Sequence, residues 1–467
     1  MTVMIDSRPQ RVTAGGVSAG RRWLIFVGVT VALLLGAMDQ TIVAATLPSI
    51  QADLDAPVEW TTWTMSVSSL GMVVAMPIAG RLADLLGRRI TMVIAASIFT
   101  AAAIGCGLAQ DIGTLVAFRA IQALGGGAIL PVSSGVVADV FGRNRDRAIG
   151  FFSTILPIGG VLGPVVGGYI VAIASWRDIF FLTAPFGVVV VVMAAILFPS
   201  GRGSKEGRLD LPGMMLLVAA ILGVMFAVTS LGNPGTSPYD VRVLAPAGAA
   251  LIAGVLFVWW MRRAAHPFVP LFLLRGHGFG YVNLINIMYG VTAVASTALI
   301  PLYAHARFGL TALDSGLLLS ARALGMIAFS VLGTFVMRRT GYRPPMMTGY
   351  ALLAVGTAGL VLVPDGVDAA AWLLAAAALG GVGMGIAVPA ANNAAMQLQP
   401  TMAAAITGLR GMFRQGGAVF SIAIASSLAA RSPDLGEGLA TVFLVMVGIL
   451  VAAIPLVLFV PEHRGGW

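Results

Sequence analysis

Residue 39 is an aspartate in the second half of an apolar run, Trp23 to Pro48, that is long enough to cross a bilayer. About 20 apolar residues span the hydrocarbon core. An ionisable group at that depth is costly enough to be a functional candidate by default. No other expected span carries a carboxylate, so Asp39 is the acid there that could take up and release a proton. Desolvation favours a neutral acid and a neighbouring arginine favours the carboxylate, so a change in either would move the proton. The available arginine is Arg119, in the fourth apolar run, which itself needs a partner at that depth. Two alternatives stay open from the residues alone. Arg119 could snorkel or bond only to carbonyls, and Asp39 could serve only to neutralise it.

Other polar side chains in the spans form a second candidate group: Gln40, Gln122, Asn283, Asn286, Tyr289, Arg322, Asn392, Asn393, Arg410 and Arg414. Arg410 and Arg414 lie four apart and share a helix face. Methionines and aromatics such as Met65, Met72, Met288, Met384 and Phe413 could line an adaptable apolar cavity or face lipid. Metal chemistry has no support, because the histidines at 266, 277, 305 and 463 lack ligand spacing and Cys106 stands alone. No nucleotide loop or nucleophile triad is present, so the chain does not read as an enzyme, needs no cofactor, and must draw energy from a gradient.

These residues have to be held by membrane helices. The 467 residues are 58% hydrophobic and only 10% charged, with a mean hydropathy of +0.94; a soluble domain is about 25% charged. Long apolar segments exclude a barrel, whose strands read as short alternating runs. Fourteen spans are expected: 23–47, 60–80, 90–109, 113–136, 148–172, 179–199, 211–231, 243–261, 278–303, 315–337, 344–364, 371–394, 402–428 and 439–460. The side of the N-terminus then holds 20 basic and 7 acidic residues, the opposite side 4 basic and 11 acidic. Positive-inside bias places both termini in the cytoplasm. Residues 1–22, with Arg8, Arg11, Arg21 and Arg22, are expected to be an uncleaved cytoplasmic tail, and 461–467 a second one. The loop arginines (81, 88 and 89; 143, 145 and 147; 338, 339 and 343) read as topology anchors beside anionic membrane lipids, not as a nucleic-acid surface. Six spans (23–199), a linker with two more (200–262) and six further spans (263–460) suit two bundles that gate against each other.

Several motifs sit on this frame. The loop after the second span reads Gly80-Arg81-Leu82-Ala83-Asp84-Leu85-Leu86-Gly87-Arg88-Arg89. Its glycines allow close helix approach and Asp84 can cap or pair. The fourth span carries Arg119-Ala120-Ile121-Gln122-Ala123-Leu124-Gly125-Gly126-Gly127, and the fifth carries Gly150, Gly159, Gly163-Pro164 and Gly167-Gly168. Met38-Asp39-Gln40-Thr41-Ile42-Val43, Trp176-Arg177 and Arg414-Gln415-Gly416-Gly417 complete the set.

Together they resemble the major facilitator superfamily, and within it the fourteen-helix drug and proton antiporter branch. The resemblance covers essentially the whole chain and is strongest in its first half. It implies a major facilitator fold in a bacterial cytoplasmic membrane. It also implies a conformational latch at Gly80, Asp84, Gly87, Arg88 and Arg89, with Leu85 where the family often has a basic residue. The second-half loop, Gly333 to Arg343, keeps basic residues but lacks the acid, so no latch is assigned to it. The fifth-span glycines and Pro164 resemble the antiporter motif associated with a bent, ion-tight helix. Asp39 and Arg119 would couple transport to protons. The implied function is proton-coupled export of amphipathic drugs by a functional monomer, with a dedicated exporter of a lipid, siderophore or endogenous metabolite as the alternative. Four arginines against one carboxylate in the spans favour neutral, anionic or weakly cationic substrates over dications, with Glu59 as a possible exception.

Overall fold

A computed structural model of the chain describes residues 18–56, 58–141, 145–199, 210–231, 236–264, 272–276, 278–310, 312–399, 402–432 and 434–462. The described secondary structure is helical throughout. The helices run in the order α1 (Ala19–Ile42), α2 (Leu47–Asp53), α3 (Val58–Leu86), α4 (Arg88–Gly107), α5 (Ile112–Phe141), α6 (Arg145–Ile173), α7 (Arg177–Leu197), α8 (Leu211–Leu231), α9 (Val241–Arg263), α10 (Phe272–Arg275), α11 (Phe279–Tyr289), α12 (Ala295–Phe308), α13 (Ala312–Thr340), α14 (Arg343–Val361), α15 (Ala369–Leu398), α16 (Ala403–Arg431) and α17 (Leu435–Leu456). Twelve helices among the described residues are long and apolar enough to cross a membrane. Each satisfies its own backbone, as a spanning segment in lipid must. Helices α6 and α16, 29 residues each, coincide with the expected fifth and thirteenth spans but are not among those twelve.

Two spans are not uniform helices. A 3-10 turn, Val43–Thr46, joins α1 to α2 just beyond Asp39, and a π turn, Gly290–Val294, joins α11 to α12. π turns recur at functional sites because the widened ladder re-aims side chains. Here Gly290 lets the π turn meet the backbone of Arg414, whose carbonyl occupies the space a Cβ would need.

The loop acids have a local role that charge counting does not reveal. Asp111 accepts from the Thr114 amide at 2.8 Å, Asp368 from that of Ala371 at 2.8 Å, and Asp240 and Asp434 cap α9 and α17. A carboxylate at a helix start satisfies free amides and the positive end of the dipole. Asp111 and Asp368 open α5 and α15, and Gly87 and Gly341, with φ of 90° and 88°, make the turns before α4 and α14. Only glycine adopts that backbone without strain. These matched features give the first and second parts of the chain a common pattern.

Buried apolar side chains collect mainly within the same parts. One cluster joins Ile25, Phe99, Val132 and Phe198, and another Tyr289, Met346, Met384 and Leu450. Helices α8 and α9 form a hairpin on one flank, held by Trp63 against Phe226 at 5.7 Å and by the Trp260 indole donating to Asp210 at 2.7 Å.

Candidate proton-coupling site and central cavity

Asp39 lies in the last turn of α1, and Arg119 and Gln122 lie one turn apart on α5. They meet in a closed hydrogen-bonded cluster. Nη1 of Arg119 donates to both Asp39 oxygens at 2.9 and 3.0 Å and to Gln122 Oε1 at 2.7 Å. Gln122 Nε2 donates to Asp39 Oδ1 at 3.0 Å, and the Cys106 thiol approaches Gln122 Oε1 at 3.7 Å. The guanidinium also sits 5.8 Å from the centre of the Phe180 ring. Exposures of 3% for Asp39, 1% for Arg119 and 0% for Gln122 place the pair in a dry interior, where charges persist only when paired. Arg119 therefore bonds to a carboxylate and does not snorkel. Gln122, grouped by sequence with the substrate cavity, belongs instead to this cluster; its i, i+3 spacing from Arg119 was the available signal. Gln40 is exposed.

The α6 glycines close on the turn of α1 that carries Asp39. A Cβ at Gly159 would lie 2.5 Å from Ala37 Cβ, and one at Gly163 would collide with Thr41 Oγ1 and lie 3.0 Å from the Met38 carbonyl. Gly168, by contrast, faces open space. Gly167 is buried, and the surroundings of Gly150 and Pro164 lie outside the described residues. Overpacking a tight interface costs about 1–3 kcal/mol. Gly163→Ala is accordingly expected to lower the melting temperature in detergent by several degrees and to weaken substrate-driven proton release, with Gly168→Ala silent in both assays.

At the α3–α4 turn, Arg88 donates to Asp84 at 2.9 Å and to the Ala83 carbonyl at 3.0 Å. It also crosses Gly135 to pair with Asp139 of α5 at 3.2 Å. Asp139 was not singled out from the sequence, where it reads as one more loop-end acid. Gly80 packs against the backbone of Ala404 and Ala405, and Gly408 against that of Met76, so α3 and α16 touch directly. Arg89 is half-buried and has no ion pair among the described residues.

A central cavity of about 60 Å³ lies between α5, α6, α11, α13, α15 and α16. Asn286, Tyr289, Asn392, Arg410 and Arg414 line it, joined by Ser134 and Thr407, which the sequence did not flag. Asn286 Nδ2 donates to the Arg410 carbonyl at 2.5 Å, while Arg410 donates to the Ala391 carbonyl at 2.5 Å and to Asn286 Oδ1 at 3.4 Å. Arg322 lies elsewhere, donating to the Ala293 carbonyl at 3.1 Å and Ser296 Oγ at 2.9 Å. Asn283 is tied to the Leu273 carbonyl at 2.7 Å and Asn393 to that of Pro389 at 3.1 Å. Neither lines the cavity. Drug-sized ligands need about 300–1,000 Å³, several times the volume of this cavity.

At the far end of α2, the Trp176 indole donates to Asp53 Oδ2 at 3.1 Å, and Arg177 pairs with the same oxygen and donates to the Ala109 carbonyl at 3.2 Å. The Arg177 hydrogen bond, then that of Trp176, holds the Asp53 carboxyl below its ordinary 3.8. A depressed acid stabilises the fold above its unfolded value and loses that contribution as pH falls through its folded one. Wild type is therefore expected to melt above Asp53→Asn at pH 7, the gap closing as the pH is taken below 3.8; thermal melts at stepped pH read this directly.

The family model described as Major Facilitator Superfamily matches residues 29–422 and again 285–467. Among curated relatives, the "Multidrug transporter protein MdtP" of Bacillus subtilis is 29% identical over 419 residues, covering 89% of this chain and 77% of that protein. The "Multidrug resistance protein B homolog" of Mycobacterium tuberculosis is 30% identical over 416 residues, covering 88% and 76%. Among solved structures, the human organic anion transporter MFSD10 superposes with a TM-score of 0.67 at 14% identity, over 94% of this chain and all of that one. The proton:xylose symporter XylE gives 0.66 at 16% identity, over 96% and 98%. Both structural matches speak to the fold alone.

Proposed function

Because the chain belongs to the Major Facilitator Superfamily, a family of membrane transporters and not of enzymes, we propose that it is a proton-coupled antiporter exporting amphipathic drugs or toxic compounds, with Asp39 as the coupling acid. The observation that carries this reading is the buried Asp39–Arg119–Gln122 cluster. A carboxylate bonded to a guanidinium in a dry site is a two-state element: protonation removes the charge that the arginine holds, and the arginine must then find other partners. Arg119 has a head start, since its Nε is buried without a hydrogen-bond partner among the described residues.

Coupling of this cluster to the cavity runs through two helices. Helix α5 carries Arg119 and Gln122 at one level and Leu130 and Ser134 in the cavity wall at another. Helix α6 carries cavity residue Leu156 one turn from Gly159, which abuts Ala37. A shift of either helix therefore reaches both places. Proton entry from the outer side and release to the cytoplasm would drive export, aided by about 2.3 kcal/mol per charge per 100 mV of membrane potential.

The substrate class follows from the lining. Arg410, which shares the lining with Arg414, keeps a buried Nε without a partner among the described residues, which favours neutral or anionic amphiphiles bearing acceptors. The multidrug names of the curated relatives support the drug reading. The proposal counts α6 and α16 as the expected fifth and thirteenth spans, which brings the total to fourteen, with two six-helix bundles, α8 and α9 as a linker, both termini in the cytoplasm of a bacterial cell, and action as a monomer.

The test is substrate-induced proton release from the purified protein, scanned over cationic dyes, anionic drugs and lipid-like compounds. Release by chemically diverse compounds is the expected result. Silence across the panel from a folded protein would overturn multidrug antiport and favour the dedicated lipid, siderophore or metabolite exporter.

A further inference from the structure

Helices α8 and α9 are far less buried than the helices around the coupling site: the apolar core of α9 is only 22% inside the protein. Between this hairpin and Phe420 of α16 runs an open groove of about 970 Å³. Its walls are almost wholly apolar, with Val224, Val228, Leu251 and Val255 among them, and Gly254 leaves open space in it. The groove is not polar along its length. Its polar groups stand at one end, where Arg262 and Arg263 close α9 and the Arg263 guanidinium stacks 4.5 Å from the Trp259 ring centre. Neither arginine has an ion pair among the described residues.

We propose that this groove is a binding site for an anionic phospholipid, its acyl chain along α9 and its phosphate on Arg262 and Arg263. Length fits: Ala247 to Arg263, both in the lining, spans about 24 Å at 1.5 Å per helical residue. That exceeds the roughly 15 Å half-thickness of a hydrocarbon core, so an acyl chain fits from headgroup level to its end. Charge fits as well, because two unpaired guanidiniums at one end offer bidentate donors to a phosphate and repel the trimethylammonium that a choline headgroup adds to it, so a net-anionic headgroup is preferred over a zwitterionic one. Tryptophan beside them belongs at the membrane interface. The loop-charge asymmetry puts this end on the cytoplasmic side, where anionic lipids attract basic residues. A lipid here would bridge the α8–α9 hairpin to α16, the helix that carries Arg410 and Arg414 into the central cavity. The site thus joins the hairpin to a wall of the central cavity without taking part in proton exchange.

The test is independent of transport. Full-length protein is reconstituted in vesicles of equal parts phosphatidylglycerol and phosphatidylcholine, extracted, and its retained phospholipid quantified by mass spectrometry. Wild type is expected to retain phosphatidylglycerol in large excess. Arg262→Gln with Arg263→Gln should cut that preference roughly 10- to 30-fold, from about 1 kcal/mol per basic residue near an anionic surface. The corresponding double lysine variant should restore most of it. Gly254→Trp, which fills the groove and keeps both arginines, should lower retention of lipid of either headgroup; built into open space, it decides the matter should the glutamine variant not fold. A wild-type pool that mirrors the vesicle composition, a preference that survives the glutamine pair, or a total lipid retention that Gly254→Trp leaves unchanged would overturn the proposal.

Discussion

Asp39→Asn is expected to abolish substrate-driven proton release while leaving the protein folded. Asparagine matches aspartate in shape, and its side-chain oxygen can still accept from Arg119 and Gln122, which reach Asp39 at 2.9 and 3.0 Å. What it cannot do is take up a proton. Hydrogen bonds to a charged group contribute about 1.5–3 kcal/mol and neutral ones about 0.5–1.5 kcal/mol, so a stability loss of roughly 1–2 kcal/mol is expected, visible as a modest drop in melting temperature. The functional loss is total by comparison. In a lightly buffered solution with a pH-sensitive dye, wild type should release protons on substrate addition and the variant should match the protein-free blank. Substrate binding, followed by fluorescence of the same compound, should persist within a few-fold. Exchange of substrate for protons at the normal ratio by Asp39→Asn would remove Asp39 from the mechanism.

The second large effect separates a broken pair from a missing one. Asp39→Leu strands the Arg119 guanidinium at 1% exposure, and arginine cannot shed its proton. Removing one member of a buried ion pair costs about 3–5 kcal/mol, whereas replacing both with apolar residues of similar volume is often neutral or stabilising. Arg119→Leu is less harmful, because the remaining carboxyl can be neutralised by a proton and keeps its bond from Gln122. The expected order of melting temperatures is Asp39→Leu lowest, Arg119→Leu intermediate, and the double leucine variant recovered to near wild type. All three should be dead for proton release. Additive losses in the double variant would show that the two residues do not form a unit in the folded protein.

The fold was largely legible because lipid constrains the chain so strongly. Helix positions followed from apolar runs, since a spanning backbone has no other way to satisfy its amides. Asp39 and Arg119 could be paired on paper, because charges of opposite sign at membrane depth have few alternatives. The glycine spacing on α6 was equally visible, but its meaning was not. The family resemblance implied a bend and a seal; the structure sets Gly159 and Gly163 against Ala37, Met38 and Thr41, the residues flanking Asp39.

Residues chosen only for polarity fared unevenly. Asn286, Tyr289, Asn392, Arg410 and Arg414 surround one cavity, while Asn283 and Asn393 bond to backbone carbonyls of their own surroundings. Period and composition cannot tell these cases apart, since each is a polar side chain on a helix in lipid. Asp139 escaped notice for the opposite reason. Near a helix end an acid resembles any other, and its value to Arg88 depends on Gly135 leaving the path open.

The sequence by itself determined that this is a membrane chain of long helices, and it singled out Asp39 as an acid deep in an apolar run with Arg119 as the available partner. Those are consequences of solvation, which acts on each residue type wherever it lies. Only the tertiary structure decided that Gln122 completes the acid's shell, that the α6 glycines bear on its helix turn, and that the Asp39–Arg119–Gln122 cluster and the central cavity share helices but no side chains. Those depend on the rotation and depth of each helix against its neighbours, quantities fixed by packing at sub-ångström tolerance and written in no single residue.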